Sequence, residues 1–373
     1  MQYDKLISQR ALAVDASGIR KVFDLAAKLA DPINLSIGQP DFDVPEPVKA
    51  EAIEAIRSGF NSYTQTQGIA PLREAIATRL AGQVGWKDPQ VLITSGVSGG
   101  LMLAFMALLN PGDEVLAPDP YFVMYKHLVN LVGARPVMVD TYPDFRLDPD
   151  RYAARITPRT KLLLLNSPSN PTGRLATAEE LKAILALADK HGLLVISDEI
   201  YNAFCYDGPY ASAAALGGLD RVLLLRGFSK TYGMTGWRLG YAAGPKAVIE
   251  QMTKLQQYTF VCAPSMVQKA GLAALKIDVS GHVADYRRKR DLIYAALRND
   301  FEVVRPGGAF YIFPKAPGGR ATAFCEQAIA NNVLVIPGSV FSERDSHFRI
   351  SFAASDEKLR AGAEVLCRLA RGG

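Results

Sequence analysis

Seven short apolar runs, most of them followed by a segment of helical period, constrain this chain more than any other feature. They lie at residues 91–94, 114–117, 135–139, 161–165, 193–197, 221–225 and 239–243. Runs without apolar–polar alternation are buried on both faces, and parallel strands need a crossover helix between them. The pattern predicts an α/β fold from about residue 46 to 270, with a mostly parallel seven-stranded sheet flanked by helices. Segments 101–109 and 178–191 read as two of those helices. The second has Thr177 and Glu180 in capping-box spacing and ends before Gly192.

After residue 270 the texture changes. A basic amphipathic helix is followed by short runs at 302–304, 309–313, 333–336 and 348–352. With a helix near 321–331 and a last one from about Ser355, these predict a smaller α+β domain. Segment 17–30 is amphipathic and is expected to join it. The expected domains are thus 46–270, and 1–45 together with 271–373. The run Arg287-Arg288-Lys289-Arg290 falls in the helical pattern and is expected to be a solvated face.

A net charge of +5 over 373 residues, spread along the chain, is too mild to argue for a nucleic-acid partner. The four cysteines lie far apart without Cys-x-x-Cys spacing, and the four histidines are equally scattered. Neither a disulfide framework nor a metal site is expected. Met1–Arg10 lacks the apolar stretch of a secretory signal, and no window has the length of a membrane span. The expectation is a cytoplasmic protein that uses neither membrane nor nucleic acid.

Open α/β sheets hold ligands beyond the carboxyl ends of their strands. Five ends here carry chemistry. The first run enters Ser95-Gly-Val-Ser-Gly-Gly100, where small residues and a helix start make an anion site, although many glycine-rich turns hold no ligand. The second enters Pro118-Asp-Pro-Tyr-Phe122, whose aromatics either stack on a flat ring or belong to the core. The fourth ends in Asn166-Ser-Pro-Ser-Asn-Pro-Thr-Gly173; a turn explains Pro171 and Gly173 but not two asparagines, whose amides donate to oxygens.

The fifth run ends in Asp198-Glu-Ile-Tyr201. A carboxylate there is costly to bury unless it meets a cation, such as a protonated ring nitrogen, or caps a helix. The sixth run leads into Arg226-Gly-Phe-Ser-Lys-Thr-Tyr-Gly-Met-Thr-Gly-Trp-Arg238. In isolation Ser229 and Lys230 read as an exposed loop. At this sheet edge Lys230 reads as a Schiff-base lysine, and Ser229 with Arg238 as phosphate ligands. Together the five ends point to a phosphorylated aldehyde, pyridoxal 5'-phosphate.

With Ser-Asn-Pro-Thr-Gly, Asp-Glu-x-Tyr and Ser-Lys-Thr-x-x-Met-x-Gly-x-Arg in that order, the chain resembles the class I/II, fold-type I aminotransferases. The resemblance runs from Ile37-Gly-Gln-Pro-Asp-Phe42 to Phe348-Arg-Ile-Ser-Phe352. It implies that Lys230 carries the cofactor and then shuttles the proton from the substrate α-carbon. It implies that Asp198 pairs with the ring nitrogen, that Tyr201 and Asn170 bond the phenolic oxygen, and that Phe122 stacks on the ring. The Val97 and Ser98 amides, Ser229 and Arg238 would bind the phosphate. Arg349 would take the substrate carboxylate with help from Gly38 and Asn170. Tyr63 resembles a tyrosine that reaches the partner's phosphate, which implies a homodimer.

Two departures from the family pattern stand out. Gly227 replaces a frequent phosphate-binding serine, and Ser98 stands where dicarboxylate-specific members often have a lysine. The second tilts the expected amino donor towards neutral or aromatic. The expected activity is ping-pong transfer of an amino group from an L-amino acid to a 2-oxo acid. A C–S β-lyase and an aspartate aminotransferase are the alternatives on the same fold.

Overall fold

The computed structural model describes residues 5–14, 29 and 31–372. Segment 17–30 therefore lies outside the described residues apart from Leu29, which packs against a cluster containing Phe313 and Leu334. The first strand, β1 (Ile33–Asn34), belongs to the C-terminal part of the chain. The next seven are β2 (Gln90–Ser95), β3 (Glu114–Asp119), β4 (Arg135–Asp140), β5 (Thr160–Asn166), β6 (Leu194–Asp198), β7 (Val222–Gly227) and β8 (Leu239–Gly244). They form one sheet in the order β2-β8-β7-β6-β5-β3-β4. All seven apolar runs are strands, with ends within two residues of expectation.

Consecutive side chains of these strands point to opposite faces, and both faces are covered. Leu163 and Leu165 of β5 join one core, with Leu72, Ile76 and Ile184. Leu162 and Leu164 join the other, with Phe105, Val129 and Met252. Val222 and Leu224 of β7 divide from Leu223 and Leu225 in the same way. This two-sided burial is why the runs are apolar throughout.

Only β8 departs from the parallel pattern, running antiparallel to both β2 and β7. Its register pairs Leu239 with Ser95 and Gly240 with Gly227, so its first residue meets the last residues of its neighbours. Arg238, immediately before β8, is thereby delivered to the edge where the other strands end. Gly240 is required for that approach. A Cβ there would lie 2.8 Å from the Val97 nitrogen and 2.7 Å from the Gly96 carbonyl carbon.

Helix Ala178–Lys190 starts with the expected capping box between Thr177 and Glu180. Helix Gly96–Leu108 starts five residues earlier than the 101–109 expected, so the glycine-rich segment is its first turn rather than a loop before it.

The C-terminal part has its own core, where Ile293, Phe310, Ile350 and Leu366 meet Tyr201 and Phe204 from the turn after β6. There β9 (Tyr311–Ile312), β10 (Val333–Leu334), β11 (Ile336–Pro337) and β12 (Phe348–Ser351) are short. The order β11-β12-β9 is antiparallel, and β1 pairs parallel with β10. Residues 302–304 form no strand. The chain turns at Pro306, and the amides of Gly307 and Gly308 both bond the Gly173 carbonyl instead of joining a ladder.

The basic run corrects another expectation. Arg287 and Arg288 are exposed, but Lys289 and Arg290 are buried on helix Ser280–Leu297. Lys289 pairs with Asp41 and with Asp285. Arg290, 1% exposed, donates to Asp207 at 2.8 Å and to the Pro306 carbonyl, with its guanidinium over the Tyr206 ring. Paired carboxylates and an aromatic face offset the desolvation of these two cations, so one helical turn carries both solvated and buried charges. No helix among the described residues is long and apolar enough to cross a membrane.

Candidate active site

A cavity of about 340 Å³ opens at the carboxyl edge of the sheet. Its lining includes Gly38, Val97, Ser98, Phe122, Asn170, Asp198, Tyr201, Ser229, Lys230, Arg238 and Arg349. Every site residue expected from the sequence is therefore brought together except Tyr63, which is 84% exposed and lies outside the cavity.

Asp198 ends β6 and is 2% exposed. Its Oδ2 accepts the Tyr125 hydroxyl at 2.7 Å, and its Oδ1 accepts the Ile200 amide at 3.2 Å. Both donors are neutral. Burial pushes the carboxyl up to about 6, against the pull of those bonds and of Lys230. The arrangement suits a cation that no side chain among the described residues supplies as a direct partner.

Lys230 follows β7 and donates from Nζ to the Gly38 carbonyl at 2.6 Å. Burial lowers its pKa to about 8, with Arg349 and Arg238 adding to the effect and Asp198 opposing it. An amine so placed is partly unprotonated near neutral pH and is a competent nucleophile and base.

Arg349 on β12 is 1% exposed. One terminal nitrogen donates to Asn170 Oδ1 at 3.0 Å and the other to the Ser36 carbonyl at 2.8 Å. The rings of Tyr311 and Phe341 each lie 4.6 Å from the guanidinium carbon. Among the described residues, Nε is buried without a hydrogen-bond partner. Burial lowers the proton affinity of this group, which among the described residues meets neutral acceptors and aromatic faces but no carboxylate.

The opposite end of the cavity is built for an anion. Helix Gly96–Leu108 begins there with no side chain capping its first turn, so its free amides and positive dipole end face outward. Gly96 has φ +68°, and a Cβ on it would stand 2.6 Å from an Arg238 terminal nitrogen. That nitrogen donates to Ser98 Oγ at 2.7 Å. Arg238 itself sits in the left-handed region, φ 57°, as the short turn Thr235–Trp237 ends. Ser229 is buried beside Lys230.

Two tyrosines of the lining, Tyr125 and Tyr311, were not singled out from the sequence, whereas Asn166 was one of the two asparagines noted at the end of the fourth run. Asn166 donates to the Asp198 carbonyl at 3.0 Å and accepts the Asn170 amide at 2.8 Å, holding two strand-end segments together. Tyr125 lies one helical turn beyond Phe122, and that spacing was the available signal. Tyr311, on a two-residue strand, gave none. Among the described residues no group of three or more His, Cys, Asp or Glu could hold a metal ion.

Residues 30–366 match the model of the family described as aminotransferase class I and II. The chain belongs to that family. This aminotransferase is 40% identical over 370 residues to aromatic-amino-acid aminotransferase 2 of Thermococcus litoralis, with 95% of each chain covered. It is 39% identical to the aspartate aminotransferase of Pyrococcus abyssi, with 98% of each covered. The structure of Thermus thermophilus aspartate aminotransferase with maleate superposes with a TM-score of 0.93 at 36% identity, over 97% of this chain and 99% of that one. Its neighbours are fold-type I aminotransferases, as the resemblance implied, and the family depends on pyridoxal phosphate.

Proposed function

We propose that this aminotransferase moves an amino group from a neutral or aromatic L-amino acid to a 2-oxo acid, in two half-reactions at the cavity that ends in Lys230. The observation that carries this reading is the buried Arg349, bonded among the described residues only to neutral groups, in one cavity with a lysine whose pKa is lowered to about 8. A carboxylate-binding cation and a neutral amine are the two requirements of amino-acid proton transfer.

The residues present fit pyridoxal phosphate. Asp198 would face its ring nitrogen and hold the proton there, as a buried carboxyl whose partners among the described residues are neutral. Tyr201 and Asn170 would bond its phenolic oxygen, and Phe122 would cover one face of the ring. The Val97 and Ser98 amides, Ser229 and Arg238 would hold the phosphate at the uncapped helix start. When bound, the group supplies a carbonyl for amines and an electron-withdrawing cationic ring. Lys230 would hold it covalently, and its free amine would take the proton from the substrate α-carbon. Arg349 orients the substrate through its carboxylate, so that this proton faces Lys230.

The cations lining the cavity, among the described residues, are Lys230, Arg238 and Arg349. Each has a role above, and none remains for a distal carboxylate. Ile37, Leu101 and Met124 add apolar wall. Both features support a neutral or aromatic donor over aspartate.

The same reading makes residues 46–270 the cofactor domain and 1–45 with 271–373 the smaller one, which the separate C-terminal core supports. The exposed Tyr63 supports a homodimer in which it reaches the partner's site. Four unpaired cysteines support a reducing, cytoplasmic setting.

The test is a half-reaction. Loaded protein given phenylalanine alone should release one equivalent of 2-oxo acid per site and stop until a second 2-oxo acid is added. Continuous release of pyruvate and ammonia from cystathionine without an acceptor would favour the lyase alternative, and a strong preference for aspartate would overturn the donor assignment.

A further inference from the structure

Tyr311 sits where three parts of the site meet. Its ring lies against the Arg349 guanidinium, 4.6 Å from the central carbon. Its hydroxyl is 2.8 Å from the Tyr201 hydroxyl, and both side chains are buried. A Cβ on Gly38 would stand 2.8 Å from the same oxygen, so the loop whose carbonyl takes Lys230 closes directly over Tyr311.

Each hydroxyl of the pair has one proton, so only one can donate to the other. If Tyr201 donated to Tyr311, it would have no proton left for a ligand. The cation against the Tyr311 ring draws electron density from it and makes its hydroxyl the better donor. Tyr201 is then the acceptor, and its own proton is free to point into the cavity.

We propose that Tyr311 is a positioning residue that couples Arg349 to Tyr201: its ring holds the carboxylate-binding guanidinium, and its hydroxyl donates to Tyr201 so that Tyr201 donates to the bound cofactor. The inference rests on the reading of Arg349 and Tyr201 given above. It makes the two contributions of Tyr311 separable, because phenylalanine keeps the ring and loses only the oxygen.

Two measurements on the cofactor-loaded protein read them independently of turnover. One is the pH midpoint of the cofactor's absorbance transition. The other is the dissociation constant of 3-phenylpropionate, an unreactive carboxylate, from spectral titration. Removing a donor from a hydrogen-bonded chain weakens the next bond, so Tyr311→Phe should raise the absorbance midpoint by roughly half a pH unit. Its affinity for 3-phenylpropionate should stay within about twofold of the parent, because the ring on Arg349 is retained. Tyr311→Leu should weaken 3-phenylpropionate at least about fivefold as well. If Tyr311→Leu fails to fold, Tyr311→Phe still decides the hydroxyl's role. An unchanged midpoint in Tyr311→Phe, or unchanged affinity in a folded Tyr311→Leu, overturns the coupling alone. Failure of the parent to bind 3-phenylpropionate, or equal binding by Arg349→Ala, overturns the carboxylate reading and the coupling with it.

Discussion

Lys230 Nζ donates to the Gly38 carbonyl at 2.6 Å, joining the segment after β7 to the loop that leaves β1. The bond holds the amine in a cavity where burial, Arg349 and Arg238 bring its pKa to about 8. Cofactor uptake by stripped protein should therefore accelerate with pH, with a midpoint near 8. Arg349→Ala removes a positive neighbour and admits water, and both changes favour the protonated amine. Its midpoint should move up towards 10.5, the ordinary lysine value. A midpoint unchanged by Arg349→Ala would show that the guanidinium does not act on Lys230.

Arg349 is expected to act on the substrate far more than on the cofactor. Charge-assisted bonds to a carboxylate contribute about 1.5–3 kcal/mol. Replacing Arg349 with Ala should raise KM for the amino donor roughly 10- to 100-fold, while cofactor retention in a gel-filtration assay changes little. Equal losses of both would remove the carboxylate assignment.

Asp198 makes an opposite prediction for stripped and loaded protein. Its folded pKa, about 6, lies above its ordinary 3.8, so the folded state holds the proton more tightly than the unfolded chain. Its contribution to stability is then full below pH 4 and is lost as pH rises towards 6. Without cofactor, Asp198→Asn should melt above the parent at pH 7.5, by about 1–3 kcal/mol in stability, and the gap should close near pH 4. With cofactor, the parent should gain more than the variant. Thermal melts at the two pH values, with and without cofactor, check both halves.

Glu199, next to Asp198, and Arg226 form a buried ion pair at 2.7 Å. Ser197 and Ser212 also donate to Glu199, and Gln83 accepts from Arg226. The pair ties the end of β6, with Asp198, to the end of β7, four residues before Lys230. Glu199→Gln would leave a buried guanidinium uncompensated and should cost about 3–5 kcal/mol by urea denaturation. A loss below about 1 kcal/mol would mean that water reaches Arg226.

The sheet was legible because burial on both faces writes itself as uninterrupted apolar runs, as in Leu162–Leu165. Strand direction has no such signature. The reversal of β8, which explains how Arg238 reaches the site, could not be read from Leu239–Gly244. That the strand-end residues would line one cavity was legible because polar types there are costly unless used. Tyr125 and Tyr311 were not, since a buried tyrosine looks like core until its hydroxyl partner is known, and those partners, Asp198 and Tyr201, come from 73 and 110 residues away. Lys289 and Arg290 misled for the same reason, because Asp41 and Asp207, which pair with them, lie on distant segments.

The proposed chemistry turns on the covalent role of Lys230. Protein loaded with pyridoxal phosphate, treated with borohydride, digested and mapped by mass spectrometry, tests it directly. The cofactor should be fixed to the peptide containing Lys230, with the Lys230→Ala protein left unlabelled at every lysine. Labelling of another lysine in the parent, or none at all, would contradict it.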